Sequence, residues 1–176
     1  MNSAVSGLPA PQAGTSVRAL PEGVRIRPAE AVDIDQLVKL RMELFTDLVS
    51  MNKAGPDAAI SEVTQTYFSE PFGGNDCYTW VAELDQRIIA TGSLALFRRP
   101  PYPGNLQGIE AYVLNMNTLE AFRGKGLGRA ILHEIMRFSG ERQYTKVWLH
   151  ASEDGRALYA SEGFETSDKY MEWEPR

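Results

Sequence analysis

Residues 109–138, IEAYVLNMNTLEAFRGKGLGRAILHEIMRF, constrain the fold more than any other part of the chain. The segment opens with apolar and polar residues in alternation, so Glu110, Tyr112, Leu114, Met116 and Thr118 are expected on one face of a strand. It closes with Leu127, Ile131, Leu132, Ile135 and Phe138 at helical spacing, which predicts an amphipathic helix from about Gly126 to Phe138, with Gly140 suited to its end. Between the two lie glycines 124, 126 and 128 and the cations Arg123, Lys125 and Arg129. A glycine-rich turn that feeds a helix aims successive backbone N–H groups into one space. The helix dipole adds positive potential there, so an anion, above all a phosphate, is stabilised in front of it.

The rest of the chain supplies a sheet for that unit. VRIRP, residues 24–28, reads as a first strand, and the following stretch carries Ile34, Leu37, Val38, Leu44, Phe45, Leu48 and Val49 on one helical stripe, with Asp33 as a candidate cap. Pro56-Asp57 opens a second helix that stops at Pro71. CYTWVAEL and RIIATGSLALF form a hairpin around Asp85-Gln86. The proline-dense RRPPYPGNLQG has no regular structure and reads as a pocket wall or a surface connection. YTKVWLHA is a fifth strand, SEDGRALYASEG a helix from Ser152 to Gly163, and MEW a last strand piece. The order βααβββαβαβ implies an α/β or α+β fold: a mixed central sheet flanked by helices. Residues 1–23 lack apolar periodicity and are expected to be a flexible tail, leaving 24–176 as a single domain.

Composition narrows the function. A net charge of −5 and a pI near 5.1 argue against a nucleic-acid partner. Residues 29–85 hold eleven carboxylates against Lys39, Arg41 and Lys53, whereas residues 86–176 hold eleven against twelve cations. Cys77 is the only cysteine, and neither His133 nor His150 has metal-ligand spacing, so no metal site and no disulfide framework is expected. Without a long apolar run, no membrane span is expected, and the chain reads as cytoplasmic.

Three phosphate motifs compete for the turn. In a P-loop a hydroxyl residue follows the lysine, but Gly126 follows Lys125. A dinucleotide fingerprint is spaced G-x-G-x-x-G, and here the spacing is G-x-G-x-G. The third is Arg/Gln-x-x-Gly-x-Gly/Ala, which Arg123, Gly126 and Gly128 satisfy. With ALYASEGF at residues 157–164 and the VRIRPAEAVDIDQLVKL opening, the chain resembles the GNAT superfamily of acyl-CoA-dependent N-acyltransferases over roughly Val24 to Trp173.

The resemblance implies a GNAT-like fold, acetyl-CoA as co-substrate and no metal. It places the pyrophosphate of coenzyme A on the turn, at Arg123, Gly124, Lys125, Gly126, Leu127, Gly128 and Arg129. It lays the pantetheine arm along Met116, Asn117 and Thr118, with Ser152 nearby or only capping its helix, and leaves Lys125 and Arg156 as candidates for the adenosine phosphates. Tyr159 matches the tyrosine that protonates the departing thiolate, and a phenol with a pKa of about 10 holds its proton at neutral pH. Glu110 is the candidate base, with Glu83 as rival. The acceptor expected is a primary amine on a small molecule. The acidic first half, with Glu43 and Asp47, suits a cationic one. A peptide acceptor and a non-catalytic acyl-CoA sensor are the alternatives, and a homodimer is left open.

Overall fold

The computed structural model describes residues 19–49, 58–70 and 76–173, the side chains of residues 47–49 excepted. Strand β1 (Arg25–Pro28) and a single 3-10 turn (Ala31–Asp33) lead into helix α1 (Ile34–Val49), and helix α2 (Ala58–Ser69) follows. Strands β2 (Cys77–Leu84), β3 (Arg87–Arg98) and β4 (Ile109–Thr118) come next, and then helix α3 (Leu127–Glu141), strand β5 (Val147–Leu149) and helix α4 (Glu153–Ser161). The five strands lie in the order β1-β2-β3-β4-β5. All neighbours are antiparallel except β4 and β5, which are parallel, as a strand–helix–strand crossover requires.

Each face of the sheet is covered by the helix whose apolar stripe the sequence displays. Leu127, Ile131, Leu132 and Ile135 of α3 are buried against Ala90, Leu94, Ala111 and Val113. Leu37, Val38 and Leu40 of α1 bury with Phe68 of α2 against Val81 and Ile88 on the opposite face. Tyr78, Trp80 and Phe138 stack in one aromatic cluster at the rim of the α3 side. Arg27 grips Asp33 and Glu83 together, tying β1, β2 and the 3-10 turn before α1.

Several expectations are corrected. The tail ends before residue 23, because Leu20 packs against the α3-side core and Val24 N closes a turn on Pro21 O; residues 1–18 lie outside the described residues. Asp33 does act at the helix start, through a capping box in which its carboxylate accepts the Glu30 N–H at 2.8 Å, and it is held by Arg27 as well. Helix α3 runs through Gly140, and the chain leaves it by the left-handed Gln143, φ 58°. Residues 171–173 form no strand, so the described order ends in a helix. The openings and stops expected at Pro56-Asp57 and Pro71 lie outside the described residues.

The even face expected for β4 also breaks. Leu114 pairs with Ser93 and Asn117 with Thr91, so two residues, Asn115 and Met116, stand opposite Gly92 alone. Asn115 takes φ 54°, a left-handed conformation that Asn tolerates better than most residues. This bulge turns Met116 and Thr118 toward α3 and leaves Glu110, Tyr112 and Leu114 on the α1 side.

Candidate active site

The bulge sits where the sheet opens. Strand β5 pairs with β4 only from Ala111 to Val113, and β4 then continues to Thr118 with that edge unpaired among the described residues. An unpaired edge is a row of main-chain donors and acceptors that an extended ligand can complete as an added strand. Met116, Asn117 and Thr118, the residues expected to carry the pantetheine arm, form the end of that edge.

The glycine turn lies immediately beyond. Gly124 and Gly126 take φ 71° and 83°, which a side chain would oppose, and a Cβ at Gly124 would meet nothing within 4 Å. The first helical hydrogen bond of α3 runs from Ala130 N to Gly126 O, so the N–H groups of Leu127, Gly128 and Arg129 precede it at the open helix start. Left-handed glycines and the N–H groups at the helix start together fit a pyrophosphate. The cations around the turn differ in disposition. Lys125 lies over the Phe122 ring at 4.9 Å, and Arg123 Nε donates to Thr118 O at 3.0 Å, bracing the strand end. The Arg129 side chain turns to α4, donating to Ser161 Oγ and pairing with Glu162 at 3.0 Å, so only its backbone belongs to the cradle. Arg156 reaches toward Thr166 Oγ1.

Helix α4 delivers Tyr159. Ser152 caps it by accepting the Gly155 N–H at 3.2 Å, and Leu158 packs near Gly128 on α3. A Cβ at Gly155 would approach the Tyr159 ring to 2.8 Å, so the glycine makes room for the phenol. Tyr159 is buried in the α3-side core and contacts Phe164 edge-on. Burial, and after it the neighbouring Tyr112, pushes its pKa above the ordinary phenol value.

Glu110 is placed elsewhere. By strand rise of about 3.3 Å per residue it lies about 16 Å below Asn115. Its carboxylate, 2% exposed, takes Lys146 at 3.1 Å, Arg99 at 3.2 Å and the Tyr102 hydroxyl at 3.0 Å. Burial pushes its pKa up, but these partners outweigh it and hold the group below the usual carboxylate value. The proline loop is therefore an ordered clasp: Asn105, fully buried, donates to Ile109 O at 2.8 Å and accepts the Gly108 N–H. Glu83, the rival, is taken by Arg27.

The sequence reading missed the residues on the α1 side of the bulge. Arg41 Nη1 donates to Asn115 Oδ1 at 3.3 Å, with its guanidinium over Phe45 at 4.7 Å. Next to it along the sheet, Tyr112 stacks on Trp148 at 4.5 Å and shares a hydrogen bond with His150 Nδ1 at 2.9 Å. An Asn inside an apolar strand is a signal for a bulge, because Asn is poor in ladders and good in left-handed turns. Above the strand end, an open cleft of about 410 Å³ sets Lys39 and Arg123 against Glu43 and Glu120. Asp47 lies among the side chains outside the description. No His, Cys, Asp or Glu cluster able to hold a metal occurs among the described residues, and no described helix is long and apolar enough to cross a membrane.

A mixed sheet that splays beside a glycine cradle, with a tyrosine carried in by the next helix, defines an acyl-CoA-dependent acyltransferase. The chain belongs to the GNAT acetyltransferase family: the model of the Acetyltransferase (GNAT) family matches residues 35–164. It is 30% identical over 161 residues, 89% of this chain and 90% of the relative, to the "Probable glucosamine 6-phosphate N-acetyltransferase 2" of Oryza sativa subsp. japonica. A "predicted acetyltransferase" from Clostridium acetobutylicum, crystallised with acetyl-CoA, superposes with a TM-score of 0.77 at 30% identity, covering 86% of this chain and 96% of that one. The glucosamine-6-phosphate N-acetyltransferase of Arabidopsis thaliana shares the fold, with a TM-score of 0.68 at 22% identity over 87% of this chain and 99% of that one. The protein is an acetyltransferase that takes acetyl-CoA as co-substrate.

Proposed function

We propose that the protein acetylates the primary amine of a small molecule by direct attack. The observation that carries this reading is the side of β4 on which acceptor contacts are available. There Arg41 reaches Asn115 under α1 beside the edge that β5 leaves unpaired, and an open cleft of about 410 Å³ lies between α1 and the end of the strand. The similarity to a relative named for a phosphorylated amino sugar supports it.

When bound, acetyl-CoA supplies an acyl carbon open to attack and a thiolate leaving group. The N–H groups of Gly124 through Arg129 hold the pyrophosphate, and the free edge from Met116 to Thr118 aligns the pantetheine arm. The bulge leaves a residue of β4 without a ladder partner, and its N–H is the donor for the developing oxyanion. Tyr159, kept neutral by burial, donates its proton to the sulfur as the bond to it breaks. In this reading Glu110 is not the base. Its carboxylate is buried, hydrogen-bonded through Oε1 to Lys146 and Tyr102 and ion-paired with Arg99, and the amine gives its proton to water beside the sheet.

Thiol release from acetyl-CoA, followed over a panel of small amines and of peptides with free N-termini, tests the reading. Release that depends on a small amine supports it. Turnover of peptides alone favours the protein acceptor, and tight binding of coenzyme A with no turnover favours the sensor.

A further inference from the structure

We propose that Arg41 recognises an anionic group, a carboxylate or a phosphate monoester, carried by the amine acceptor. This rests on the reading of the chain as a small-molecule N-acetyltransferase and names the class of molecule.

Arg41 stands where α1 would otherwise present a hydrophobe. It follows Leu37 by four residues and Val38 by three, both buried, so the helix points its side chain at the sheet. The chain treats its other inward arginines differently. Arg27 is held by Asp33 and Glu83, and Arg129 by Glu162. Arg41, half-buried, pairs with no carboxylate among the described residues; its contacts are a neutral amide oxygen and a phenyl ring. Burial works against its charge, and the titratable groups that act on it, Tyr67 and Cys77, are neutral at physiological pH because burial pushes Tyr67 up to about 12 and the Cys77 thiol upward. A guanidinium taken partly out of water without a counterion is costly unless a ligand provides one.

A second donor points the same way. With its oxygen turned to Arg41, Asn115 leaves Nδ2 buried with no hydrogen-bond partner among the described residues. A buried unsatisfied N–H is rare and expensive, and an anionic oxygen would satisfy it together with the guanidinium. Position gives the site its role. Asn115 is the bulge residue at the start of the unpaired edge, so an amine presented to the acyl group there has Arg41 within the length of one small molecule. The sign is opposite to that expected from the acidic N-terminal half.

Matched amines that differ only in the anionic group test the assignment: glucosamine 6-phosphate against glucosamine for a phosphate, and an amino acid against its amide for a carboxylate. The wild type is expected to prefer the charged member of one pair by on the order of 10- to 100-fold in kcat/KM, expressed in KM, and the pair that shows it identifies the anion. Arg41→Gln should bring that ratio close to one, and Arg41→Lys should retain part of it. A purely packing role would slow both members equally and leave the ratio intact, which would overturn the proposal, as would a wild-type preference for the uncharged members. If no small amine is turned over, the proposed function fails, and Arg41 is then read by melting at saturating coenzyme A. Inorganic phosphate or acetate should stabilise the wild type and not Arg41→Gln. Equal shifts, or none, would overturn the assignment.

Discussion

Met116 Sδ fills the space in front of Gly92, so that a Cβ on Gly92 would overlap the sulfur and lie 2.7 Å from Ile131 Cγ2. The glycine is the single residue that faces the two-residue bulge of β4, and it lets α3 approach the sheet there. Gly92→Ala is expected to cost about 1–3 kcal/mol, the usual penalty for overpacking a core, measured by urea denaturation. Because the displaced residue is Met116, the KM for acetyl-CoA should rise as well. An unchanged midpoint would mean that the bulge yields freely.

Glu110 gives a stability signature. Its folded-state pKa is lowered, so its contribution is present above the unfolded carboxylate pKa and is lost as pH falls through the folded value. Glu110→Gln should therefore destabilise at pH 7, by about 1–3 kcal/mol, the usual range for leaving buried hydrogen-bond partners unpaired. The difference from wild type should shrink at the acid end of a denaturation series. Lys146 and Arg99 are half-exposed, which favours the low end. At pH 7 the variant should keep kcat within a few-fold; a loss of a hundredfold or more would restore the carboxylate as base.

Lys125 and Arg129 should separate in coenzyme A binding. Lys125→Ala is expected to weaken affinity a few-fold in a salt-dependent way, since its charge stands at the cradle. Arg129→Ala should leave affinity and its salt slope nearly unchanged and lower the melting temperature, because its guanidinium ties α3 to α4 through Glu162 and Ser161. Comparable affinity losses would show that Arg129 swings to the phosphate.

Cys77 should be slow to react. Burial raises its thiol pKa more than its hydrogen bonds to Tyr67 and Thr79 lower it, so the thiolate is scarce at neutral pH. Alkylation by iodoacetamide at pH 7.5 should be slower than for free cysteine and should accelerate toward alkaline pH. A fast reaction at neutral pH would show an exposed, activated thiol.

The alternation and helical spacing around the glycine turn made the sheet, α3 and the cradle legible, because each depends on local chemistry. Arg41 was not legible, since nothing local says that a charged residue on α1 points inward unpaired. The face of Met116 was misread because a period of two cannot survive a bulge, although Asn115 in an apolar strand marked the place. Gly140 was read as a helix end because glycine often is one, and α3 ends one residue beyond it, at Glu141. Glu110 was the candidate base, and its partners, Lys146 and Arg99, were not legible because they are remote in sequence and are brought together only by the parallel pairing of β4 with β5 and by the clasped loop.

Acetyl transfer to an amine with Tyr159 as the acid is tested by amine-dependent thiol release from wild type and Tyr159→Phe, with coenzyme A affinity measured on both. The phenol is buried and its hydroxyl makes no hydrogen bond among the described residues, so its removal should leave the fold and the affinity for coenzyme A nearly intact. Tyr159→Phe is expected to lower kcat roughly 10²- to 10⁴-fold, the worth of a positioned acid, at near-constant affinity. Equal turnover by the two proteins would contradict it.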